Sequence, residues 1–198
     1  MEKGLNYKLL IDSPDFENPK PELEQYSTPV DIAIDFVKKV NSRGLLEGKV
    51  ADLGCGTGRL AIGATMLGAN VTGFEIDQDA LNMAIDYSKG KNLNINWICG
   101  AVENITEEFD TVIMNPPFGS QRPGADRIFL EKALEISNHI WTIHIANTRD
   151  FIEKLVEKKG GEIEMRYEFD FPISRSMPFH SKEVENQKAI LYHIASLR

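Results

Sequence analysis

The chain has 198 residues, 42% hydrophobic and 26% charged, which is typical of one globular domain spanning residues 1–198 and excludes disordered and disulfide-framework proteins. Its 22 basic and 30 acidic side chains give a formal charge of −8, which excludes general nucleic-acid binding driven by counterion release. Two cysteines are too few for a cysteine-based zinc site, and the chain has neither a secretory signal nor an apolar run of the roughly 18 to 20 residues that spans a bilayer. We therefore expect a cytoplasmic protein without a metal site or membrane contact.

The first 26 residues are polar and contain three prolines, which predicts an extended N-terminal arm. Thr28 then matches a helix N-cap, Pro29 the first helical position and Asp31 the closing residue of a capping box. Apolar residues follow at helical spacing up to Val40, so this segment is predicted to be the first long helix.

From residue 49 onward, strand patterns alternate with helix patterns. Strands are predicted at 50–53, 70–75, 96–100, 110–114, 139–146, 162–171 and 187–195, and helices at 60–67, 79–89, around 129–134 and at 151–156. This order predicts an α/β fold with a mostly parallel, doubly wound sheet and helices on both faces. Such sheets bind their ligands beyond the carboxyl ends of the strands.

A glycine-rich loop follows the first predicted strand, at Gly54, Gly56 and Gly58. Glycines there let the backbone approach a ligand closely, although a tight turn packed against the next helix would need them as well. Asp52 directly precedes the loop, and Glu75 ends the next predicted strand. An acid about 20 residues beyond such a loop can bind the two hydroxyls of a ribose, so the ligand is predicted to contain a nucleoside.

The identity of the nucleoside follows from the residues around this loop. A dinucleotide loop has a third glycine where this chain has Arg59, and Asp52 would repel a pyrophosphate. An acid suits a ligand with a positively charged amino group, so S-adenosylmethionine is the predicted cofactor. The alternative for Asp52 is an exposed carboxylate at a strand end. Asp77 could replace Glu75, but a helix cap is the more ordinary role for it.

The residues Asn115, Pro116, Pro117 and Phe118 follow the fourth predicted strand directly. Because each proline fixes φ and removes a donor, the turn is rigid and leaves two acceptors, the Asn115 side-chain oxygen and the Pro116 carbonyl. Two acceptors match an NH₂ group and stabilise the positive charge that develops when it attacks an electrophile. Phe118 could stack on a planar substrate. The alternative is a structural turn with a core phenylalanine.

Several segments together make the chain resemble class I S-adenosylmethionine-dependent methyltransferases of the amino-methylating group, and most closely the methyltransferase-like protein five family. They are LEQY (23–26), ADLGCGTG (51–58), MLGA (66–69), GFEID (73–77) and DTVIMNPPFG (110–119). The resemblance implies a Rossmann-like class I fold, a seven-stranded sheet with an antiparallel C-terminal strand, and methylation of the N6 amine of one adenine in small-subunit ribosomal RNA.

The resemblance also implies roles for individual residues. Asn115 to Phe118 would hold the target adenine. The cofactor would be bound by Gln25, Thr28, Asp52, Gly54, Cys55, Gly56, Gly58, Glu75, Ile76 and Val102. Many members carry an aspartate where this chain has Ala101, so the Val102 backbone or Glu103 is expected to replace it. Cys55 itself is expected to be a small packing residue rather than a nucleophile.

The substrate would contact two further segments. The loop bearing Arg122 and Arg127 could bind phosphate beside the reacting base, or be an ordinary solvated loop. Phe179, His180 and Lys182 resemble a family segment near the substrate mouth. A flipped-out base in structured RNA is the expected substrate. Eukaryotic relatives work with a small zinc-containing activator protein, so the resemblance implies a possible partner of this kind.

Two other functions stay open. A protein glutamine methyltransferase would share the Asn-Pro-Pro-aromatic turn, since a side-chain amide also presents an NH₂, but it usually has an additional N-terminal domain. A non-catalytic subunit could retain the fold. The intact Asn115 turn counts against that subunit, and Ala101 counts slightly for it.

Overall fold

The computed structural model describes residues 6–119, 124–175 and 183–196. The helices of this part of the chain are α1 (Tyr7–Ile11), α2 (Val30–Ser42), α3 (Arg59–Met66), α4 (Gln78–Gly90), α5 (Ala125–Ile136) and α6 (Arg149–Lys158). The strands are β1 (Lys49–Leu53), β2 (Asn70–Glu75), β3 (Asn96–Cys99), β4 (Phe109–Met114), β5 (Ser137–Ile145), β6 (Gly161–Arg175) and β7 (Glu183–Ser196).

These strands form one seven-stranded sheet in the order β3-β2-β1-β4-β5-β7-β6. Strands β1 to β5 pair in parallel, whereas β7 runs antiparallel to both β5 and β6. The mostly parallel α/β sheet with an antiparallel C-terminal strand is therefore confirmed. Because β1, β2 and β4 are parallel neighbours, the residues that follow them meet at one edge of the sheet.

Alternating side chains of the strands build a hydrophobic core on each face of the sheet. On one face, Trp141 and Ile143 of β5 pack with Phe36 of α2 and with residues of α3. On the other face, Ile140 and Tyr192 pack with residues of α5 and α6. Helices on both faces were predicted from the alternating pattern. Among the described residues, no helix is both long enough and apolar enough to cross a membrane.

The N-terminal arm differs from the extended segment that we expected. It contains α1 and a single 3-10 turn at Pro21–Leu23. The side chain of Asn6 accepts a hydrogen bond from the Lys8 N–H at 3.2 Å and caps α1. Leu10 is fully buried against Ile62 and Met66 of α3. Burial of this one leucine offsets the weak intrinsic stability of so short a helix.

The prediction that Thr28 caps the first long helix is wrong. Helix α2 begins at Val30, its N-cap is Pro29, and no side chain caps it. The Thr28 hydroxyl instead accepts a hydrogen bond from the side-chain nitrogen of Asn115 at 3.0 Å. The hydroxyl therefore binds a distant side chain at the edge of the sheet and not a backbone N–H in the first turn of α2.

Candidate active site

A cleft lies at the carboxyl ends of β1, β2 and β4, where the sequence places its motifs. It contains about 940 Å³ of space, part of which is open to solvent. The predicted site residues that line it are Gln25, Gly54, Gly56, Glu75, Ile76, Val102, Asn115 and Pro117. Ala101 and Glu103 line it too, so the segment after β3 reaches the cleft without the family's aspartate. Thr28, Asp52 and Cys55 line a smaller recess that shares Gly54, Gly56 and Asn115 with the cleft.

The glycine loop is fixed to the end of β2 by Glu75. One carboxylate oxygen of Glu75 accepts from the Gly56 N–H at 2.8 Å, and the other accepts from the Asp77 N–H at 2.9 Å. Burial raises the pKa of Glu75, although these backbone donors act in the opposite direction. A carboxylate can accept about four hydrogen bonds, so Glu75 keeps the capacity to bind ligand hydroxyls.

The glycines of the loop have different roles. A Cβ on Gly54 or Gly56 would lie under 3 Å from a phenylalanine ring, Phe129 or Phe16 respectively, and both rings line the cleft. Both glycines also have positive φ values, +67° and +55°. Gly58 lines neither the cleft nor the recess among the described residues, and its Cβ would meet the Trp97 ring at 2.6 Å. Its position indicates packing rather than cofactor contact.

Asp52 is buried, with only 1% of its surface exposed. One of its oxygens accepts a hydrogen bond from the Ala61 N–H in the first turn of α3, at 2.9 Å. Desolvation raises the pKa of Asp52 to about 7, assisted by the charge of Glu75 and opposed by the Ala61 hydrogen bond. The alternative of an exposed strand-end carboxylate is therefore wrong.

Cys55 lies in the glycine loop with its thiol buried. Burial raises the pKa of Cys55 well above its ordinary value, so the nucleophilic thiolate is disfavoured and the residue acts as a packing residue, as predicted. Within the described ranges, no group of three or more His, Cys, Asp or Glu side chains is arranged to hold a metal ion.

Gln25 connects the N-terminal arm to the start of α4. Its side-chain nitrogen donates to Asp77 at 2.6 Å, and its oxygen accepts from the Lys20 N–H at 2.8 Å. The Lys20 ammonium also contacts Asp77 at 2.6 Å. Asp77 accepts from the Asp79 N–H and is the N-cap of α4, as expected. Gln25 thus reaches the cleft wall, where Asp77 holds it.

Arg59, which sequence reasoning used only to exclude a dinucleotide, is the second anchor of the arm. Its guanidinium is buried and donates to the Ser13 hydroxyl, the Ser13 and Thr28 carbonyls and the Asp15 carboxylate at 2.8 to 3.1 Å. These partners lie 31 to 46 positions away, so no local pattern could reveal them. The only signal in the sequence was that an arginine stands where a dinucleotide-binding loop has its third glycine.

Asn115 occupies the turn after β4, with its side chain directed to the recess. The side-chain nitrogen donates to Thr28, while the side-chain oxygen is buried and has no hydrogen-bond partner among the described residues. The second predicted acceptor, the Pro116 carbonyl, accepts a long hydrogen bond of 3.4 Å from the Tyr26 hydroxyl. A buried acceptor without a partner is costly. Asn115 lines both the cleft and the recess, so its oxygen is a candidate acceptor for a ligand there.

Phe118 belongs to an aromatic cluster with Tyr26 and Phe171. Its ring centre lies 5.1 Å from that of Tyr26 and 5.6 Å from that of Phe171. Its N–H donates to the Glu24 carboxylate at 3.0 Å. Glu24 lines the cleft in a left-handed conformation with φ of +50°. It belongs to the LEQY segment that carries the family resemblance, but no role was predicted for this residue. Phe118 packs against the hydrophobic core and is not among the described residues that line the cleft or the recess, so its predicted stacking on a substrate stays a prediction.

The predicted substrate contacts are only partly described. Arg127 is exposed in the first turn of α5 and pairs with Glu131 at 3.2 Å. It does not itself line the cleft, although its neighbours Ala125 and Ile128 do. The exposure of Arg127 is consistent with the alternative interpretation, in which this segment is an ordinary solvated loop. The remaining predicted contacts, Arg122, Phe179, His180 and Lys182, lie outside the described residues.

The chain is similar to known proteins over most of its length. Residues 28–144 match the methyltransferase small domain family. The chain is 38% identical to the rRNA N(6)-adenosine-methyltransferase Mettl5 of Drosophila melanogaster, covering 86% of each chain. It is 36% identical to METTL5 of Danio rerio, which carries the same activity in its name, over 85% of this chain and 86% of the relative.

Similarity extends to a solved structure. The crystal structure of PH1948 from Pyrococcus horikoshii, named as a candidate RNA methyltransferase, superimposes with a TM-score of 0.90. The two chains are 37% identical, and the match covers 97% of this chain and 96% of PH1948. The family resemblance seen in the motifs is thus confirmed over the whole fold. The chain belongs to the methyltransferase small domain family and, within it, to the family of the METTL5 rRNA adenosine methyltransferases.

Proposed function

We propose that this protein transfers a methyl group from S-adenosylmethionine to the exocyclic N6 amine of an adenine in RNA, and that the RNA is that of the small ribosomal subunit. The single observation that carries the proposal is the buried, unpartnered side-chain oxygen of Asn115 beside the cleft. The relatives named for rRNA adenosine methylation support the choice of substrate.

Asn115 and Pro116 supply the acceptors for the target amine. One N–H of the adenine donates to the Asn115 side-chain oxygen, and the other donates to the Pro116 carbonyl, sharing it with Tyr26. The lone pair of the amine then points at the cofactor, and the two oxygens stabilise the positive charge that develops on nitrogen. S-adenosylmethionine supplies an electrophilic methyl group on a positively charged sulfur.

The chemical balance of the transfer requires no base to start it. The nitrogen lone pair forms the new N–C bond while the C–S bond breaks, and its electron pair stays on sulfur, which leaves as a neutral thioether. The methylated nitrogen, now positively charged, then loses its proton to water. The Asn115 oxygen stabilises both the attack and the charged product before the proton leaves.

The cofactor residues divide by chemistry. The carboxylate of Glu75 would accept from the two ribose hydroxyls, and Asp52 in the adjoining recess would receive the charged amino group. Gly54 and Gly56 let the backbone approach, while Val102 lines the cleft where an adenine ring would lie. The fit is supported by the burial of Asp52, because a buried acid without a cation costs free energy that a cationic ligand offsets.

The net charge of −8 supports a further part of the proposal. A chain this acidic has weak electrostatic attraction for RNA, so we propose that the small zinc-containing activator protein of relatives assists it, and that both act in the cytoplasm. Co-purification of tagged chain with a zinc-containing partner, and fractionation of the source cells, would test these two points. A chain that binds and methylates the RNA alone would exclude the need for an activator.

The experiment that tests the function is transfer of tritiated methyl from S-adenosylmethionine to purified small ribosomal subunits, total RNA and a protein extract. We expect protease-resistant label that is recovered as N6-methyladenosine. Label in protein would instead support a glutamine methyltransferase, and no label with or without an activator would support a non-catalytic subunit.

Asn115→Ala is expected to abolish transfer while cofactor affinity changes little. The matched control is Asn70→Ala, an exposed asparagine at the opposite edge of the sheet, which should retain wild-type transfer. Equal loss of cofactor binding and transfer in Asn115→Ala would contradict the proposed role.

A further inference from the structure

The backbone of the turn after β4 contacts the N-terminal arm on both sides of Pro117. The carboxylate of Glu24 accepts a hydrogen bond at 3.0 Å from the N–H of Phe118, 94 positions along the chain. The hydroxyl of Tyr26 donates to the Pro116 carbonyl at 3.4 Å. Pro117 itself lines the cleft, as do Glu24 and Tyr26. Two alternate residues of the arm thus hold the backbone that borders the site.

We infer that Glu24 and Tyr26 are positioning residues, which hold the turn so that the Pro116 carbonyl faces the target amine. The inference rests on the proposed function, in which that carbonyl is one of the two acceptors. The family resemblance implies cofactor contacts for Gln25 and Thr28 of this segment, and no role for the two residues that contact the turn. A positioning residue acts through another group, so its loss lowers the rate of transfer more than the affinity for either ligand.

The turn depends on partners outside it because of its two prolines. A proline ring fixes φ, but it leaves ψ to be set by other contacts, and it supplies no N–H. The ψ of Pro116 determines where its carbonyl points, and the ψ of Pro117 determines where the Phe118 N–H points. The two hydrogen bonds from the arm are made to these two groups. They therefore set the two torsions that the proline rings leave free.

Each of the two hydrogen bonds has one possible direction. A backbone N–H can only donate, and a carboxylate oxygen accepts from it. A carbonyl can only accept, and the tyrosine hydroxyl donates to it. Because a carbonyl oxygen has two lone pairs, Pro116 can accept from Tyr26 and from a ligand at the same time. The contact therefore orients this carbonyl and leaves it able to bind the target amine.

The arm residues that make these contacts are themselves held in place. Glu24 has φ of +50° and ψ of +43°, a left-handed conformation that is disfavoured for a residue with a Cβ. Gln25, which follows it, donates to Asp77 at 2.6 Å. The ring of Tyr26 lies edge-on to the buried Phe171, with 5.9 Å between the ring centres. Strained residues such as Glu24 persist where surrounding contacts hold them, often at functional sites.

The test compares Glu24→Ala, Glu24→Gln and Tyr26→Phe with the wild-type protein. Alanine removes the acceptor for the Phe118 N–H, whereas glutamine keeps an acceptor oxygen of the same reach without the charge. Phenylalanine removes only the hydroxyl of Tyr26 and keeps its ring. The matched control is Glu17→Ala, an exposed glutamate of the same arm that is not among the described residues lining the cleft or the recess.

The main measurement is the rate of methyl transfer in a single turnover, with the protein in excess over small-subunit ribosomal RNA. A single turnover reports the chemical step separately from product release. The Kd of S-adenosylhomocysteine, the Kd of the RNA and the thermal unfolding midpoint are measured for each variant.

Misplacement of a reacting group by about 1 Å can cost about 100-fold in rate. We therefore expect Glu24→Ala to lose about 10- to 100-fold in the single-turnover rate and Tyr26→Phe about 3- to 10-fold, while both Kd values stay within about threefold. Glu24→Gln should recover most of the loss, and Glu17→Ala should match the wild-type protein.

An unchanged rate in Glu24→Ala or in Tyr26→Phe overturns the inference. Parallel loss of affinity for cofactor or RNA makes the residue a direct ligand contact, and a Glu24→Gln variant as slow as Glu24→Ala shows that the charge acts; each overturns the inference as well. If Glu24→Ala does not fold, Tyr26→Phe decides by the same rate criterion. A wild-type protein that methylates no RNA overturns the proposed function itself, which distinguishes the two failures.

Discussion

Replacing Asp52 with asparagine should stabilise this protein at alkaline pH, although it removes a predicted cofactor contact. The Asp52 carboxyl is 1% exposed, and desolvation raises its pKa to about 7, from an ordinary value of 3.8. An acid whose pKa is raised on folding binds its proton more tightly in the folded chain. Between these two pH values the unfolded chain has therefore lost this proton while the folded chain retains it.

The sign of the pH dependence follows from this difference in protons. Stability falls as pH rises wherever the folded state holds more protons than the unfolded state. The fall begins near pH 4 and is complete above about pH 7, and at about 1.4 kcal/mol per pH unit it amounts to about 4 kcal/mol. Asparagine carries no charge at any pH and can still accept from the Ala61 N–H. We therefore expect Asp52→Asn to gain about 2 to 4 kcal/mol at pH 8 and almost nothing at pH 4.

The assay is urea unfolding of the ligand-free protein at several pH values between 4 and 8. The matched control is Asp110→Asn, since Asp110 also accepts one backbone N–H, from Lys49 at 2.8 Å, but is exposed. The control should show no such gain at pH 8. A variant of Asp52 that is destabilised equally at pH 4 and pH 8 would refute the reasoning. The same variant is expected to bind S-adenosylmethionine more weakly, because asparagine lacks the negative charge that would bind the amino group of the cofactor. Asp52 would then be a residue that lowers stability and serves ligand binding.

Two further predictions concern the glycine loop and the cysteines. Gly58→Ala should destabilise the protein by about 2 to 5 kcal/mol in urea unfolding, because its φ of +89° is left-handed and its Cβ would strike Trp97. Gly160→Ala, with φ of +77° and open space around it, should cost only about 1 to 2 kcal/mol; equal costs would contradict the packing role. A maleimide should label the exposed Cys99 and leave the buried Cys55 unmodified in the folded protein, as mass spectrometry of peptides would show. Rapid labelling of Cys55 would contradict its burial.

Features that depend on neighbouring residues were predictable from the sequence. The strand, glycine loop and helix around Gly54 follow from local periodicity and from the backbone freedom of glycine. The rigid turn at Asn115 follows from its two prolines. The parallel sheet then brings these two segments to one edge, so their meeting at the cleft was predictable from topology alone.

Features that depend on distant partners were not predictable. Thr28 has the sequence pattern of a helix cap, but its hydroxyl binds Asn115 instead, 87 positions along the chain. Arg59 attaches the arm through Ser13, Asp15 and Thr28, and no spacing rule predicts such a set. Helix α1 in the arm exists because Leu10 is buried against α3, which local propensity does not reveal.

The burial of charge was also beyond sequence reasoning. Asp52 and Glu75 were predicted as ligand-binding acids from their positions relative to the loop. Both side chains are buried in the folded chain, and this desolvation raises the pKa of both. The cost of keeping these acids buried, and hence the pH dependence predicted above, became visible only in three dimensions.

The central claim is that the Asn115 side-chain oxygen accepts a hydrogen bond from the amine that is methylated. The most direct measurement is a crystal structure of the protein with an analogue in which adenine N6 is joined covalently to the methyl-donor position of S-adenosylmethionine. We predict the N6 nitrogen about 3 Å from the Asn115 oxygen, with Thr28 still bound to the amide nitrogen. An adenine bound elsewhere in the cleft, or an Asn115 oxygen that stays without a partner in that complex, would contradict the claim.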